Sequence, residues 1–247
     1  MTISDTETGG PGSAFPSTVW SRLTRADAGN DVTSTFDLDL LIRLYWKPVY
    51  FHLRHAWRRP SDDAKDLTQE FFLDNVLEGN LLKNFRPELG SFRAFLKGAL
   101  GNFLSHAAER ATAKKRGGHL KLVSLDAEDA DRAAFLPDAG TLPPDQIFDA
   151  AWKRIVLDRA IRLLQERLRA EGKEVAFEVF RLYDLEAPGS DVSYKTIGAA
   201  LTLSPDTVKN YLTRARDMYA TAVSDIVRDT VSGPEALSTE LRELFGI

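Results

Sequence analysis

Apolar side chains in this chain recur at intervals of three and four wherever they are dense. Leu38, Leu41, Ile42, Tyr45 and Trp46 keep that spacing, which predicts a helix with one buried face within 34–58. Pro48 is expected to break or restart it, because proline removes a helical hydrogen bond. Val49, Tyr50, Leu53 and Trp57 carry the stripe beyond that point. Pro60 ends the run, and Ser61 is an N-cap for a helix over about 62–78. Its stripe is Ala64, Leu67, Phe71, Phe72 and Val76, with Asp62 and Asp63 in the first turn, where negative charge suits the helix dipole. After a loop from Gly79 to Gly90, a helix from Ser91 to about Lys115 follows from Phe92, Phe95, Leu96, Ala99, Leu100, Phe103 and Leu104. A second helical unit begins near Asp145 and is lined by Phe148, Trp152, Ile155, Val156, Ala160, Leu163 and Leu164. Further helices are predicted over Val175 to Leu185, then two short ones, then one running towards residue 230, and a tail helix over 235–245 opened by Pro234. No strand pattern and no repeat is found, so the fold class is all-α.

Composition narrows the chemistry. The 247 residues include no cysteine and only four histidines. This excludes a disulfide scaffold and a thiolate nucleophile or metal site. His52 and His55 are three apart with no third ligand in sight, so no metal is expected. No catalytic pair of nucleophile and base is evident; neither an enzyme nor a cofactor is expected. No apolar stretch approaches the ~20 residues of a membrane helix and no secretory leader is visible, so no membrane partner and a cytoplasmic location are expected. Trp20, Trp46, Trp57 and Trp152 read as core anchors.

Net charge is −4, but its arrangement is uneven. Residues 86–121 carry eight basic side chains against two acidic ones, a net +6; the stretch that follows, to residue 150, carries seven acidic against one basic, a net −6. The chain thus divides into a polar, Gly-rich tail (1–16), a first helical domain (17–116), an acidic linker (117–147), a second helical domain (148–221) and a helical extension (222–247).

The segment SYKTIGAALTLSPDTVKNYLTRAR (193–216) has the logic of a helix-turn-helix. Ile197, Ala200, Leu201, Val208 and Leu212 are spaced to pack two short helices together, with Ala199 and Ala200 allowing close approach. Leu203 fills the corner, Ser204 caps the second helix, and Pro205 takes its first position. Such a second helix enters the DNA major groove. It would present Asp206, Thr207, Lys209, Asn210, Thr213, Arg214 and Arg216; Lys and Arg neutralise phosphates, and Asn pairs with adenine. A basic helix with aromatic residues at its base, as in 91–116, can grip a DNA backbone while an unstacked base is held.

Together with DAKDLTQEFF (63–72) and GSFRAFLKGALGNFLSHAAERATAKKRGG (90–118), the 193–216 segment resembles the extracytoplasmic-function (ECF) sigma factors, the compact members of the sigma-70 family. The resemblance spans roughly 17–220. It implies a region 2 domain that docks on the RNA polymerase β′ subunit and melts the −10 promoter element, and a region 4 domain that binds the −35 element and the β flap. By matching position, Asp66, Gln69, Glu70 and Asp74 lie on the polymerase-docking helix. Lys83, Asn84, Phe85 and Arg86 lie in the loop that captures a flipped −10 base. Arg93, Lys97, Asn102, His106 and Arg110 lie on the −10 reader, with Lys114, Lys115 and Arg116 near phosphates. Thr207, Lys209, Asn210, Thr213, Arg214 and Arg216 fall on the −35 helix. The acidic linker would run near the active-site channel. Lys65 departs from the acidic run of the docking helix, a departure linked in the family to kinase control; Thr68 is the candidate phosphosite, with Ser61 the alternative. The implied partners are core RNA polymerase and promoter DNA, with an anti-sigma factor and a Ser/Thr protein kinase both left open. Two other readings stay open on the residues alone: a stand-alone helix-turn-helix regulator and a helical interaction protein.

Overall fold

The computed structural model describes residues 31–77, 81–113, 136, 140–186, 192–231 and 233–246. Every regular element among them is helical: α1 (Asp31–Phe51), α2 (Ser61–Phe71), α3 (Leu81–Asn84), α4 (Phe92–Ala113), α5 (Pro144–Ala170), α6 (Glu174–Phe180), α7 (Tyr194–Leu201), α8 (Pro205–Arg228) and α9 (Pro234–Phe245). The described residues therefore form an all-α fold. No helix among the described residues is long and apolar enough to cross a membrane.

Pro48 lies inside α1 without ending it, contrary to expectation. Tyr45, Trp46, Val49, Tyr50 and Phe51 around it are all buried. At about 1.5–3 kcal/mol for each large apolar side chain taken out of water, their burial outweighs the ~3 kcal/mol that an interior proline costs. The helix instead loosens just beyond, into a wide π-type turn over His52–Ala56. Two other expectations fail nearby. Trp57 is 44% exposed and is no core anchor; its indole N–H donates to His52 Nε2 at 3.3 Å. Ser61 does not cap α2: Pro60 holds the cap position, and the Ser61 hydroxyl lies 3.2 Å from the Tyr50 hydroxyl.

α5 organises the whole molecule. Its first half, through Ile147, Phe148, Ala151, Trp152, Val156 and Ala160, packs against α1 in a core shared with α2 and α4. The C-terminal part of α8 (Ala222, Val223, Ile226, Val227) closes the same core, and Leu237, Leu241, Leu244 and Phe245 of α9 pack on it. The second half of α5 (Leu164, Leu168) joins α6, α7 and the first half of α8 in a smaller core. The two cores thus share α5 and α8, each of which contributes one half to either core. Residues 117–135 and 137–139 of the expected linker, like the tail 1–16 and Trp20, lie outside the described residues.

His52 connects this packing to pH. Burial holds its pKa below the ordinary histidine value, the Lys97 charge adds to this, and Asp149 opposes it. The fold therefore favours the neutral ring, and the unfolded chain takes up the proton more readily. The resulting stability is complete above the unfolded pKa of about 6.5 and is lost as pH falls from there towards the lower folded value. Denaturant unfolding compared at about pH 7.5 and about pH 5.5 should show a larger loss for the wild type than for His52→Gln. An equal loss would show that His52 is not responsible.

Candidate nucleic-acid interface

α7 and α8 are joined by a three-residue turn held by caps at both helix starts. The Ser193 hydroxyl accepts the Thr196 N–H at 3.1 Å, and the Ser204 hydroxyl accepts the Thr207 N–H at 3.1 Å. Pro205 follows at the first helical position. Thr202 ends α7 in the left-handed conformation at φ 58°, and the Leu203 N–H returns to the Gly198 carbonyl at 2.8 Å. Ile197, Val208, Leu212 and Ala215 are buried in the core that α7 and α8 share with α5 and α6.

Close approach at this turn depends on Gly198, which sequence reasoning overlooked. A Cβ there would stand 2.6 Å from the Leu203 carbonyl oxygen. Ala199 and Ala200, expected to serve that purpose, face solvent. The signal was available in the string TIGAAL: the only residue without a side chain sits next to the buried Ile197. Gly198→Ala should destabilise the protein by about 1–3 kcal/mol through overpacking against backbone, as measured by chemical denaturation. An unchanged midpoint would mean that the turn shifts at no cost.

With that face buried, the opposite face of α8 points outward. Asp206, Lys209, Asn210, Thr213, Arg214 and Arg216 are exposed, and Thr207 is half-buried at the cap. The Thr213 hydroxyl donates to the Lys209 carbonyl at 3.0 Å. Arg214 pairs with Glu171 at 2.6 Å. Arg216 makes a fork to Asp184 at 2.8 and 2.6 Å and lies over the Tyr183 ring, 5.3 Å from its centre. Exposed ion pairs of this kind contribute roughly 0–1 kcal/mol, so a phosphate can displace them.

The first core carries the other expected contacts, and it sorts them. Asp66, Gln69, Glu70 and Asp74 do come together: with Arg59 and Asp63 they line a groove of about 300 Å³ on the outer face of α2. Asn102 and His106 are exposed on α4 and share a cleft of about 530 Å³ with Asp74, Asn75, Ala99 and Phe103. Lys83, Asn84 and Arg86 are exposed, with the Arg86 guanidinium folded back on the Lys83 carbonyl at 2.7 Å. Arg110 lies in the last turns of α4, and Lys114, Lys115 and Arg116 lie outside the described residues.

Three expected site residues are buried in this structure rather than open to a partner. Phe85 is 3% exposed, its ring against Phe92 and Phe95, so it is a core side chain and not a platform for a base. Thr68 is fully buried and its hydroxyl donates to the Ala64 carbonyl at 2.6 Å; a kinase could reach it only by opening α2. Arg93 is 6% exposed. Its guanidinium is held by Glu240 at 2.6 and 3.1 Å, Glu243 at 3.0 Å and Asp149 at 2.5 Å. Burial alone would lower the Arg93 pKa; the bonds and charges of Glu240 and then Asp149 reverse this and raise it, so it is permanently charged. Lys97 reaches Asp149 at 2.9 Å and the Asp145 carbonyl at 3.2 Å.

Comparison with family models, curated proteins and solved structures returned no match. The residues themselves therefore carry the functional argument. Among the described residues no group of His, Cys, Asp and Glu is arranged to hold a metal ion.

Glu240, Glu243 and Asp149 are the partners that sequence reasoning missed. Glu240 does leave a trace: it falls on the apolar stripe of Leu237, Leu241 and Leu244, where a carboxylate requires a buried cation.

Proposed function

We propose that this chain is an RNA polymerase sigma factor of the ECF type. It binds core polymerase and recognises the −10 and −35 elements of promoter DNA to begin transcription in the cytoplasm. It performs no chemistry of its own and needs no cofactor. In this reading 17–116 is a region 2-like module and 148–221 a region 4-like module. The observation that carries it is the capped α7–α8 unit, whose buried face fixes the helix so that Lys209, Asn210, Thr213 and Arg214 project together. That is the presentation major-groove reading requires. The acidic groove on α2 supports a second, protein-facing contact, with Asp66 and Glu70 set to meet a basic surface on polymerase.

Two substitutions separate base reading from phosphate binding. Asn210→Ala should cost about 1–3 kcal/mol and relax preference at one base position, while Lys209→Ala should weaken all sequences alike and reduce the salt slope by about one. Fluorescence anisotropy of the holoenzyme on promoter duplexes over a range of salt reads both. Equal loss from both variants on every sequence would remove the −35 assignment. Docking is tested by pull-down with core polymerase, in which Asp66→Lys with Glu70→Lys should abolish capture. A chain that binds one duplex tightly and specifically without polymerase, and ignores core, is instead a stand-alone helix-turn-helix regulator.

A further inference from the structure

We infer that α9 is an internal latch that competes with nucleic acid for the cationic face of α4. The inference rests on the reading of α4 as a promoter-facing helix, and it explains why Arg93 is buried. Glu240 meets the guanidinium in a fork, through Nε at 2.6 Å and Nη2 at 3.1 Å. This planar, two-bond pattern is the one by which arginine also holds a phosphate. Glu243 and Asp149 take further donors of the same group, and Asp149 also engages Lys97. Two carboxylates of α9 thus occupy guanidinium donors that a phosphate would need, while Asp149 of α5 stays in place beside them. A phosphate and Glu240 cannot both occupy the Arg93 fork.

The rest of α9 is built to be held, but not permanently. Its apolar residues Leu237, Leu241, Leu244 and Phe245 are only partly buried, and Lys153 lies 5.4 Å over the Phe245 ring. Glu243 is 59% exposed, so one arm of the clamp is open to competing ions. The segment joining α8 to α9 is fixed at its start: Thr230 and Val231 are buried, and the Thr230 hydroxyl donates to the Val227 carbonyl at 2.8 Å. α9 can therefore leave α4 while its root stays attached. The fraction of molecules with α9 released sets the apparent affinity of α4 for DNA, since the competent state binds in proportion to its population.

The test uses the full chain with Glu240→Gln, which keeps the shape of the side chain and removes its charge, and with Glu243→Gln, an exposed change that leaves the core intact. Hydrogen exchange of the α9 amides reads release. Anisotropy of a labelled single-stranded DNA of about 20 nucleotides in low salt reads access to α4. The latch predicts faster α9 exchange and about tenfold tighter DNA binding for Glu240→Gln, with a smaller change, about twofold, in the same direction for Glu243→Gln. Should Glu240→Gln fail to fold, the Glu243→Gln pair of readings decides. Unchanged α9 exchange, or faster exchange with unchanged single-strand affinity, overturns the latch. If Lys209→Ala and Asn210→Ala still weaken duplex binding in that case, the proposed function survives its loss. If neither wild type nor any variant binds DNA alone or with core polymerase, the functional reading fails and the latch with it.

Discussion

Arg93→Ala should lower stability by about 3–5 kcal/mol, because it leaves Glu240 ionised and buried without its partner. Glu240 is 3% exposed, so while α9 is docked water does not replace the guanidinium. For a chain of this size the midpoint should fall by roughly 6–20 °C at about 2–4 °C per kcal/mol. Arg93→Lys should recover little, since a lysine cannot form the two-bond fork to Glu240 and reach Asp149 at once. The double change Arg93→Met with Glu240→Leu should recover most of the loss, because a buried ion pair contributes little net stability beyond an apolar pair of similar volume. Thermal unfolding of the four proteins checks this. A double variant no more stable than Arg93→Ala would mean that the charges, and not only their mutual compensation, hold α4, α5 and α9 together.

Trp152→Ala should cost a similar amount, about 3–5 kcal/mol, for a different reason. Trp152 is fully buried in the first core, stacked on Tyr45 at 6.1 Å between ring centres. Its removal leaves a cavity that the Tyr45 ring is not free to fill, since Phe92 already packs edge-on against it at 5.1 Å. The informative part of the result is where the loss is felt. α5 and α8 run through both cores, so damage at Trp152 should also lower the melting of the helix-turn-helix. Circular dichroism and tyrosine-sensitive near-ultraviolet signals should shift together in one transition. Two separate transitions, with the second core unaffected, would show that the halves are energetically independent.

Helix positions were largely legible in the sequence because local apolar periodicity determines them: α2, α4, α5 and α9 lie close to where the spacing of Phe, Leu and Trp puts them. The helix-turn-helix was legible for the same reason, with Ser204 and Pro205 marking its second helix. What was not legible depends on partners far along the chain. Arg93 reads as one of a series of exposed cations until Glu240, 147 residues away, is placed against it. Phe85 looks like a loop aromatic until Phe92 and Phe95 fold over it. Pro48 and Trp57 fail in opposite senses. The local rule for proline is overridden by the burial of its neighbours, whereas the apolar stripe ends before Trp57 because the backbone has widened at His52–Ala56. Among the described residues of the acidic stretch before residue 150, Asp149 turns back on Arg93 and Lys97.

The most direct measurement of the proposed function is run-off transcription by purified core polymerase on genomic promoter fragments, with and without this chain. The account predicts transcripts from defined start sites only when the chain is present, and their loss when Asp66→Lys with Glu70→Lys, or Lys209→Ala with Asn210→Ala, replaces the wild type. Core polymerase that gains no promoter-specific initiation from the folded wild-type chain, including the Glu240→Gln form with α9 released, would contradict it.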